Sequence, residues 1–376
     1  MLSVAIVGCG KIADEHAEQI ARVADCRLAA VCDRERLMAE QMSERFGGVP
    51  CFDDVSEMLS RAAPDVVHIT TPPQSHARIA MQCLEAGCHV YLEKPFTVDA
   101  AEAEQILREA ARRGLKATVG HNLMFTRAAM EMRRLVKGGY LGSRPVHCEA
   151  YYCYDLGNQA YARAFLGDAA HWVRRLPGGL LHNTISHGIS RIVEYLPSDE
   201  VVVKAHGFTS SALAAAGVTE VKDELRVILE SGGTTAYFTF SSQMRPTLSE
   251  MRVFGTGNGL LLSDNQHVVV RLPGKRPKSY LPYFLLPARQ ASQYFGAAMR
   301  NVRDFSAWRL HMSDGMKALF ERFYGCITRN EPPPFPDRDI LLTVRVMDEI
   351  FTQLSAGALA GPSYPAPAAG GDRVVS

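Results

Sequence analysis

The feature that most restricts the fold is an alternation running through residues 1–122. Short apolar runs (Val4–Val7, Leu28–Cys32, Val66–Thr70, Val90–Leu92, Lys116–Val119) are separated by segments with helical spacing (Lys11–Val23, Arg34–Phe46, Gln74–Ala86, Val98–Arg113). The runs are short and almost wholly apolar, as strands covered on both faces are. Strands alternating with helices of this length need crossover connections, and therefore a parallel, doubly wound sheet. Gly87 and Gly114 fall where helix C-caps belong.

After residue 122 the pattern changes. A helix is predicted around Thr126–Lys137, a strand over Pro145–Tyr154, an aromatic, Arg-containing loop over Leu156–Arg175, and a helix over Leu180–Leu196. From Val201 to Leu272 strand signals follow one another with short turns, which predicts antiparallel pairing in an open sheet of about six strands. Asp314–Ile327 and Asp337–Leu354 read as closing helices. The expected organisation is an α/β Rossmann domain over 1–122 and an α+β domain with an open, mainly antiparallel sheet over 123–355. A disordered tail, rich in Ala, Gly and Pro, is expected over 356–376. Residues 275–310, with the proline-broken aromatic stretch Tyr280–Pro287, could form a lid, a dimer contact or a membrane-touching patch; a packed insertion is the default expectation.

Composition removes other classes. The 376 residues suffice for two domains. Lys and Arg number 41 against 40 Asp and Glu, a net charge of +1, so no overall field attracts nucleic acid or an anionic membrane. No apolar stretch approaches the ~20 residues of a spanning helix. Met1–Val7 carries no basic leader or long apolar region, so no signal peptide is expected. Nine cysteines with no CxxC pair are expected as reduced thiols in a cytoplasmic protein, and no metal site is expected.

Gly8-Cys9-Gly10-Lys11-Ile12-Ala13 directly follows the first strand and opens the first helix. Gly8 suits a tight turn, Gly10 lets backbone approach a pyrophosphate, and Ala13 permits close helix–strand packing. The helix N-terminus, with Lys11 and Ile12, offers free N–H groups to phosphate. Asp33 ends the second strand, where a carboxylate can accept the ribose hydroxyls of an adenosine. That carboxylate favours NAD, while Arg34 beside it could pair with the 2′-phosphate of NADP.

Two longer motifs follow. Thr70-Thr71-Pro72-Pro73-Gln74-Ser75-His76 and Leu84-Glu85-Ala86-Gly87-Cys88-His89-Val90-Tyr91-Leu92-Glu93-Lys94-Pro95 resemble the TPxxxH and LxAGxHVxxEKP segments of the Gfo/Idh/MocA dehydrogenases. Phe254–Gly259 resembles a sheet turn of the same family, so the similarity runs from residue 1 to about 355. The resemblance implies an NAD-dependent oxidoreductase acting on a secondary alcohol of a sugar, amino sugar, cyclitol or nucleotide sugar. It implies a homo-oligomer formed through the open sheet. Thr70, Thr71, Pro72 and His76 would line the dinucleotide, Glu93 would hold the nicotinamide ribose, Lys94 would face cofactor and substrate, and Asn122 would contact the nicotinamide side. Met124 stands where the family often has Arg and receives no role.

The segment behind Pro177-Gly178-Gly179 resembles the family's GGxLxDxxxH, with Asn183 in place of Asp. Asn183 and His187, four residues apart, share a helical face opposite Ile185, Ile189, Ile192 and Leu196. His187 would exchange the hydroxyl proton and Lys94 would stabilise the developing oxyanion. Asn183 can orient substrate or ring but cannot raise the basicity of the imidazole. His182 lies nearer the apolar edge. Trp172, Arg174 and Arg175 offer a stacking surface and cations for an anionic sugar, or form a surface loop. Two rival readings remain: an NAD-dependent glycosidase with transient internal oxidation, and a non-catalytic dinucleotide-binding regulator.

Overall fold

The computed structural model describes residues 1–156, 165–168, 170–275, 279–307 and 314–359. The first half runs β1 (Leu2–Val7), α1 (Lys11–Arg22), β2 (Cys26–Cys32), α2 (Arg36–Arg45), β3 (Cys51–Phe52), α3 (Val55–Ala62), β4 (Val66–Ile69), α4 (His76–Glu85), β5 (His89–Leu92), α5 (Ala100–Arg113) and β6 (Ala117–Val119). These strands form one sheet in the order β3-β2-β1-β4-β5-β6, every pair parallel. The order reverses between β1 and β4, which opens a crevice at the carboxyl ends of the strands. Val4, Ile6, Val31, Val67, Ile69 and Leu92 are fully or almost fully buried, as strands between two helix layers must be. Asp99 caps α5 by accepting from Glu102 N, and Gly114 ends it in the left-handed region. The two-residue strand β3 and helix α3 were not foreseen: β3 is too short to show a period.

The second half runs α6 (Arg127–Lys137), β7 (His147–Cys153), α7 (Gly179–Thr184), α8 (Ser186–Val193), β8 (Val202–Phe208), α9 (Ser211–Ala215), β9 (Glu224–Ser231), β10 (Thr234–Ser241), β11 (Ser249–Phe254), β12 (Asn258–Ser263), β13 (Val268–Pro273), α10 (Pro282–Ser306), α11 (Asp314–Thr328) and α12 (Asp337–Leu359). Its sheet has seven strands rather than six, in the order β13-β12-β11-β7-β10-β9-β8. Only β7 and β10 pair in parallel. One face carries Leu225, Val227, Leu229, Phe238, Phe240, Val253 and Leu262, packed under Ile185, Ile189, Ile192 and Ile350 from the helices. Gly188 is required there, since a Cβ on it would stand 2.1 Å from the Phe238 ring.

Four expectations need correction. The helix expected over Leu180–Leu196 is interrupted at Ile185, which ends α7 and begins α8. The closing helices do not belong to one half: Met316, Leu319, Phe320, Phe323, Tyr324, Ile340 and Val344 enter the core under the parallel sheet, while Val346, Ile350 and Leu354 enter the other core. Helix α12 also continues to Leu359, past the expected start of the tail, whose residues 360–376 lie outside the described residues. The segment 275–310 is not a packed insertion. Its residues Pro282–Ser306 form one long helix, α10, in which only Ala297 and Asp304 are buried.

Candidate functional site

The glycine turn is built as its residue types require. Gly8 has φ +100°, and a Cβ there would lie 2.8 Å from Thr71 N and 2.7 Å from Thr71 Cγ2. Thr70 Oγ1 lies 2.6 Å from Gly8 O and closes the turn from the other side. Asp33 braces it as well: Oδ2 accepts from Cys9 N at 2.7 Å and Oδ1 from Glu35 N at 2.9 Å. Around the position of a Gly10 Cβ there is open space, with nothing within 4 Å. That space belongs to a cleft of about 860 Å³ lined by Gly8, Gly10, Asp33, Arg34, Thr70, Thr71 and Pro72. Arg34 is 90% exposed and 3.6 Å from Glu35. Lys11 is exposed at the first position of α1 and Ile12 is half-buried behind it.

Two expected cofactor contacts are turned inward instead. The His76 ring is wholly buried, with Nδ1 3.1 Å from Phe96 O and Nε2 2.8 Å from Thr71 O, so it clamps the Thr71-Pro72 turn from behind. Glu93 points into the core, where Oε1 is 3.0 Å from His16 Nε2 and Oε2 accepts from Lys94 N at 3.1 Å. Gly120 leaves room for it, since a Cβ there would stand 2.6 Å from Glu93 Oε1. The same His16 meets His68 (Nδ1 to Nδ1, 2.9 Å), whose Nε2 is 3.0 Å from the Tyr324 hydroxyl. This buried chain of Glu93, His16, His68 and Tyr324 was missed. Its one sequence signal is a histidine on the α1 stripe with Ala13, Ala17 and Ile20.

The structure brings Lys94 to the helix pair that carries Asn183 and His187: Lys94 Nζ donates to the backbone carbonyl of Asn183 at 3.2 Å. Burial lowers the Lys94 pKa, while the neighbouring Glu93 carboxylate opposes that shift. His187 lies in the first turn of α8, a helix buried along its whole length. Burial, followed by the Lys94, His121 and Arg191 charges, holds His187 well below the ordinary histidine range. Its ring centroid is 6.4 Å from that of His121 and 5.5 Å from that of Tyr152. His121, another missed residue, is pushed down to about 3 chiefly by burial. Arg191 donates to Leu123 O at 3.1 Å and pairs with Asp264 at 2.7 Å, tying α8 to the turn that carries Asn122.

Four buried polar atoms around this cluster have no partner among the described residues: His121 Nδ1, Asn122 Oδ1, Ser186 Oγ and His187 Nδ1. Buried polar groups are normally satisfied, so their concentration beside one lysine marks a place prepared for a ligand's hydrogen-bonding groups. The open space at Gly10, at the start of α1, fits the pyrophosphate of a dinucleotide.

The aromatic loop divides. Trp172 and Arg175 line the dinucleotide cleft, where Gln74 donates to Trp172 O at 3.0 Å. Arg174 is not a substrate contact: it pairs with Glu220 at 2.6 Å and donates to Phe165 O and Leu166 O. It fastens its own loop. His182 stacks on Phe351 at 4.8 Å and bonds the Thr97 backbone.

A doubly wound parallel sheet with this glycine turn and switch-point cleft defines a dinucleotide-binding Rossmann domain. Residues 2–121 match the family described as "Oxidoreductase family, NAD-binding Rossmann fold". D-glucoside 3-dehydrogenase of Escherichia coli is 34% identical over 142 residues, 38% of this chain and 40% of that protein. An alpha-N-acetylgalactosaminidase of Shewanella oneidensis is 27% identical over 165 residues, 42% of this chain and 36% of that enzyme. The chain thus matches under half the length of these curated relatives. UDP-N-acetylglucosamine 3-dehydrogenase GnnA from Acidithiobacillus ferrooxidans shares the fold, with a TM-score of 0.71 at 19% identity over 94% of this chain and 98% of that one. Among the described residues, no helix is long and apolar enough to cross a membrane.

Proposed function

We propose that the protein is an NAD-dependent dehydrogenase acting on a secondary alcohol of a sugar-like substrate, with residues 1–122 holding the cofactor and 123–355 supplying most of the substrate side. The convergence of Lys94, just past the carboxyl end of β5, with His187, His121 and Asn122 and their unpartnered buried polar atoms carries this reading. Bound nicotinamide supplies the electron-pair acceptor. Lys94, held by Asn183 O, places a cation where the substrate hydroxyl becomes an alkoxide. His187, kept neutral at pH 7 by its surroundings, takes the hydroxyl proton in oxidation and returns it in reduction. Asp33 would meet the adenosine ribose with the lone pairs its two backbone donors leave open, which favours NAD over NADP.

The experiment is absorbance at the reduced-nicotinamide band, with NAD or NADP offered against polyols, uronates, free sugars and nucleotide sugars. A rise with one class identifies the substrate family. Silence across the panel with NAD bound, and glycoside cleavage products instead, would replace this reading with the internal-oxidation glycosidase. Silence with no cleavage products would favour the dinucleotide-binding regulator.

A further inference from the structure

Four buried polar side chains that the proposed chemistry leaves unused stand in one row. They come from elements far apart in the chain: His16 of α1, His68 of β4, Glu93 just past β5 and Tyr324 of α11. His16 and His68 are wholly buried, and Glu93 and Tyr324 almost so. Packing leaves the two rings little freedom. His68 stacks on Tyr91 at 4.5 Å, and Phe320 lies 4.6 Å from His68 and 5.2 Å from His16.

The inventory of donors gives the row a direction. A carboxylate only accepts, so Glu93 Oε1 takes the N–H of His16 Nε2 at 3.0 Å. Burial works to protonate Glu93, but the His16 bond, with the His16 and Lys94 charges, outweighs it and leaves the carboxyl below its ordinary range. A neutral imidazole has one N–H, which makes His16 Nδ1 an acceptor. His68 must then carry its proton on Nδ1, 2.9 Å away, and its Nε2 accepts from the Tyr324 hydroxyl at 3.0 Å. Burial, followed by the His16 charge, holds His68 well below the ordinary histidine range, so that ring is neutral.

Removing an ionised carboxylate from water is unfavourable, and apolar side chains in the same volume often serve a fold as well or better. Packing therefore does not call for this row. Its end does something more specific: it sets a negative charge beside Lys94. Burial lowers the Lys94 pKa, and Glu93 opposes that shift. Besides His16, the titratable groups that face Glu93 or Lys94 are His76 of α4, Tyr91 of β5, His121 beyond β6 and His187 of α8. Burial favours the neutral form of each. Among the described residues, Glu93 is thus the one counter-charge that Lys94 has.

We propose that His16 is a positioning residue for the chemical step: its Nε2–H, directed by His68 and Tyr324, turns Glu93 inward and holds it as the counter-charge of the Lys94 ammonium. The inference rests on the role proposed above for Lys94. His16 acts only through Glu93.

The test follows the Lys94 ammonium itself. Lysine labelled with 13C is titrated by NMR in the full chain, without cofactor or substrate, and the Lys94 signal is the one absent from Lys94→Met. His16→Leu removes the donor and should lower the Lys94 titration by about 1–3 pH units, the range set by a neighbouring opposite charge. His16→Gln can place an amide N–H where Nε2 stood and should retain most of the wild-type value. An unmoved titration in His16→Leu overturns the proposal, and so does an equal fall in His16→Gln. The wild type supplies a second readout that needs no variant to fold. With 15N-labelled histidine, His16 must hold its proton on Nε2 and His68 on Nδ1, and the reverse tautomers overturn the chain. Neither readout depends on turnover. On the substrate that the panel identifies, the alkaline limb of kcat should move to lower pH in His16→Leu, in step with the Lys94 titration. A limb that stays while the titration moves leaves His16 as the residue that positions Glu93 and removes Lys94 from the chemical step.

Discussion

His182 allows the energetics of the buried histidines to be worked through. Its ring is 1% exposed, stacked on Phe351, with Nδ1 unpartnered, and burial pushes its pKa down to about 4. An unfolded histidine titrates near 6.5, so between those values the unfolded chain binds one proton more than the native one. Stability must then fall as pH falls. From pH 7 to pH 5 the unfolded ring protonates while the native ring stays neutral, which costs about 2 kcal/mol by linkage. His182→Phe keeps the stack on Phe351 and removes the titration. Urea unfolding at pH 7 and pH 5 should show the variant gaining about 2 kcal/mol on the wild type at the lower pH, with turnover retained because the ring packs on Phe351 and bonds the Thr97 backbone. An equal stability difference at both pH values would refute the reasoning. Lost turnover would mean that His182 had been excluded from the chemistry wrongly.

Other outcomes follow from the same contacts. Gly8→Ala puts a Cβ against Thr71 N at a φ of +100°; strain of roughly 1–3 kcal/mol should lower the melting temperature and weaken NAD at least tenfold by calorimetry. Because burial and the Lys94 cation depress His187, the acidic limb of the pH–rate profile should lie below pH 6.5 and flatten in His187→Asn. An unchanged limb would assign the proton to another group. Arg174→Ala should destabilise the loop by about 1–3 kcal/mol through the buried carbonyls left unpaired, with KM within a few fold; a large KM change measured by initial rates would restore Arg174 to the substrate site.

Much of the fold is legible because its signals are local. Five of the six parallel strands announce themselves as apolar runs, and Gly8 and Gly114 sit where the backbone has a positive φ. What escaped is non-local. Nothing near Phe320 or Tyr324 says that their helix packs under a sheet formed some 200 residues earlier, because amphipathic spacing gives a face and not its partner. The site shows the same division. Lys94 and His187 are found by motif, whereas the inward turn of Glu93 depends on His16, His68 and Tyr324, which only the fold brings together. His121 has no role legible in the sequence, since nothing local shows that it faces His187. Arg174 and Arg175 are adjacent and chemically alike, yet one fastens its loop and the other lines the cleft.

The central claim is that the Lys94 ammonium, held by Asn183 O just past the carboxyl end of β5, acts in the chemical step. Lys94→Met removes the cation at nearly constant volume. The decisive measurement sets NAD affinity by calorimetry beside reduced-nicotinamide absorbance, for variant and wild type, on the substrate the panel identifies. The account predicts NAD binding within a few fold and turnover reduced by at least ~10³-fold, the scale of a lost oxyanion-stabilising group. Turnover within tenfold of the wild type would contradict it.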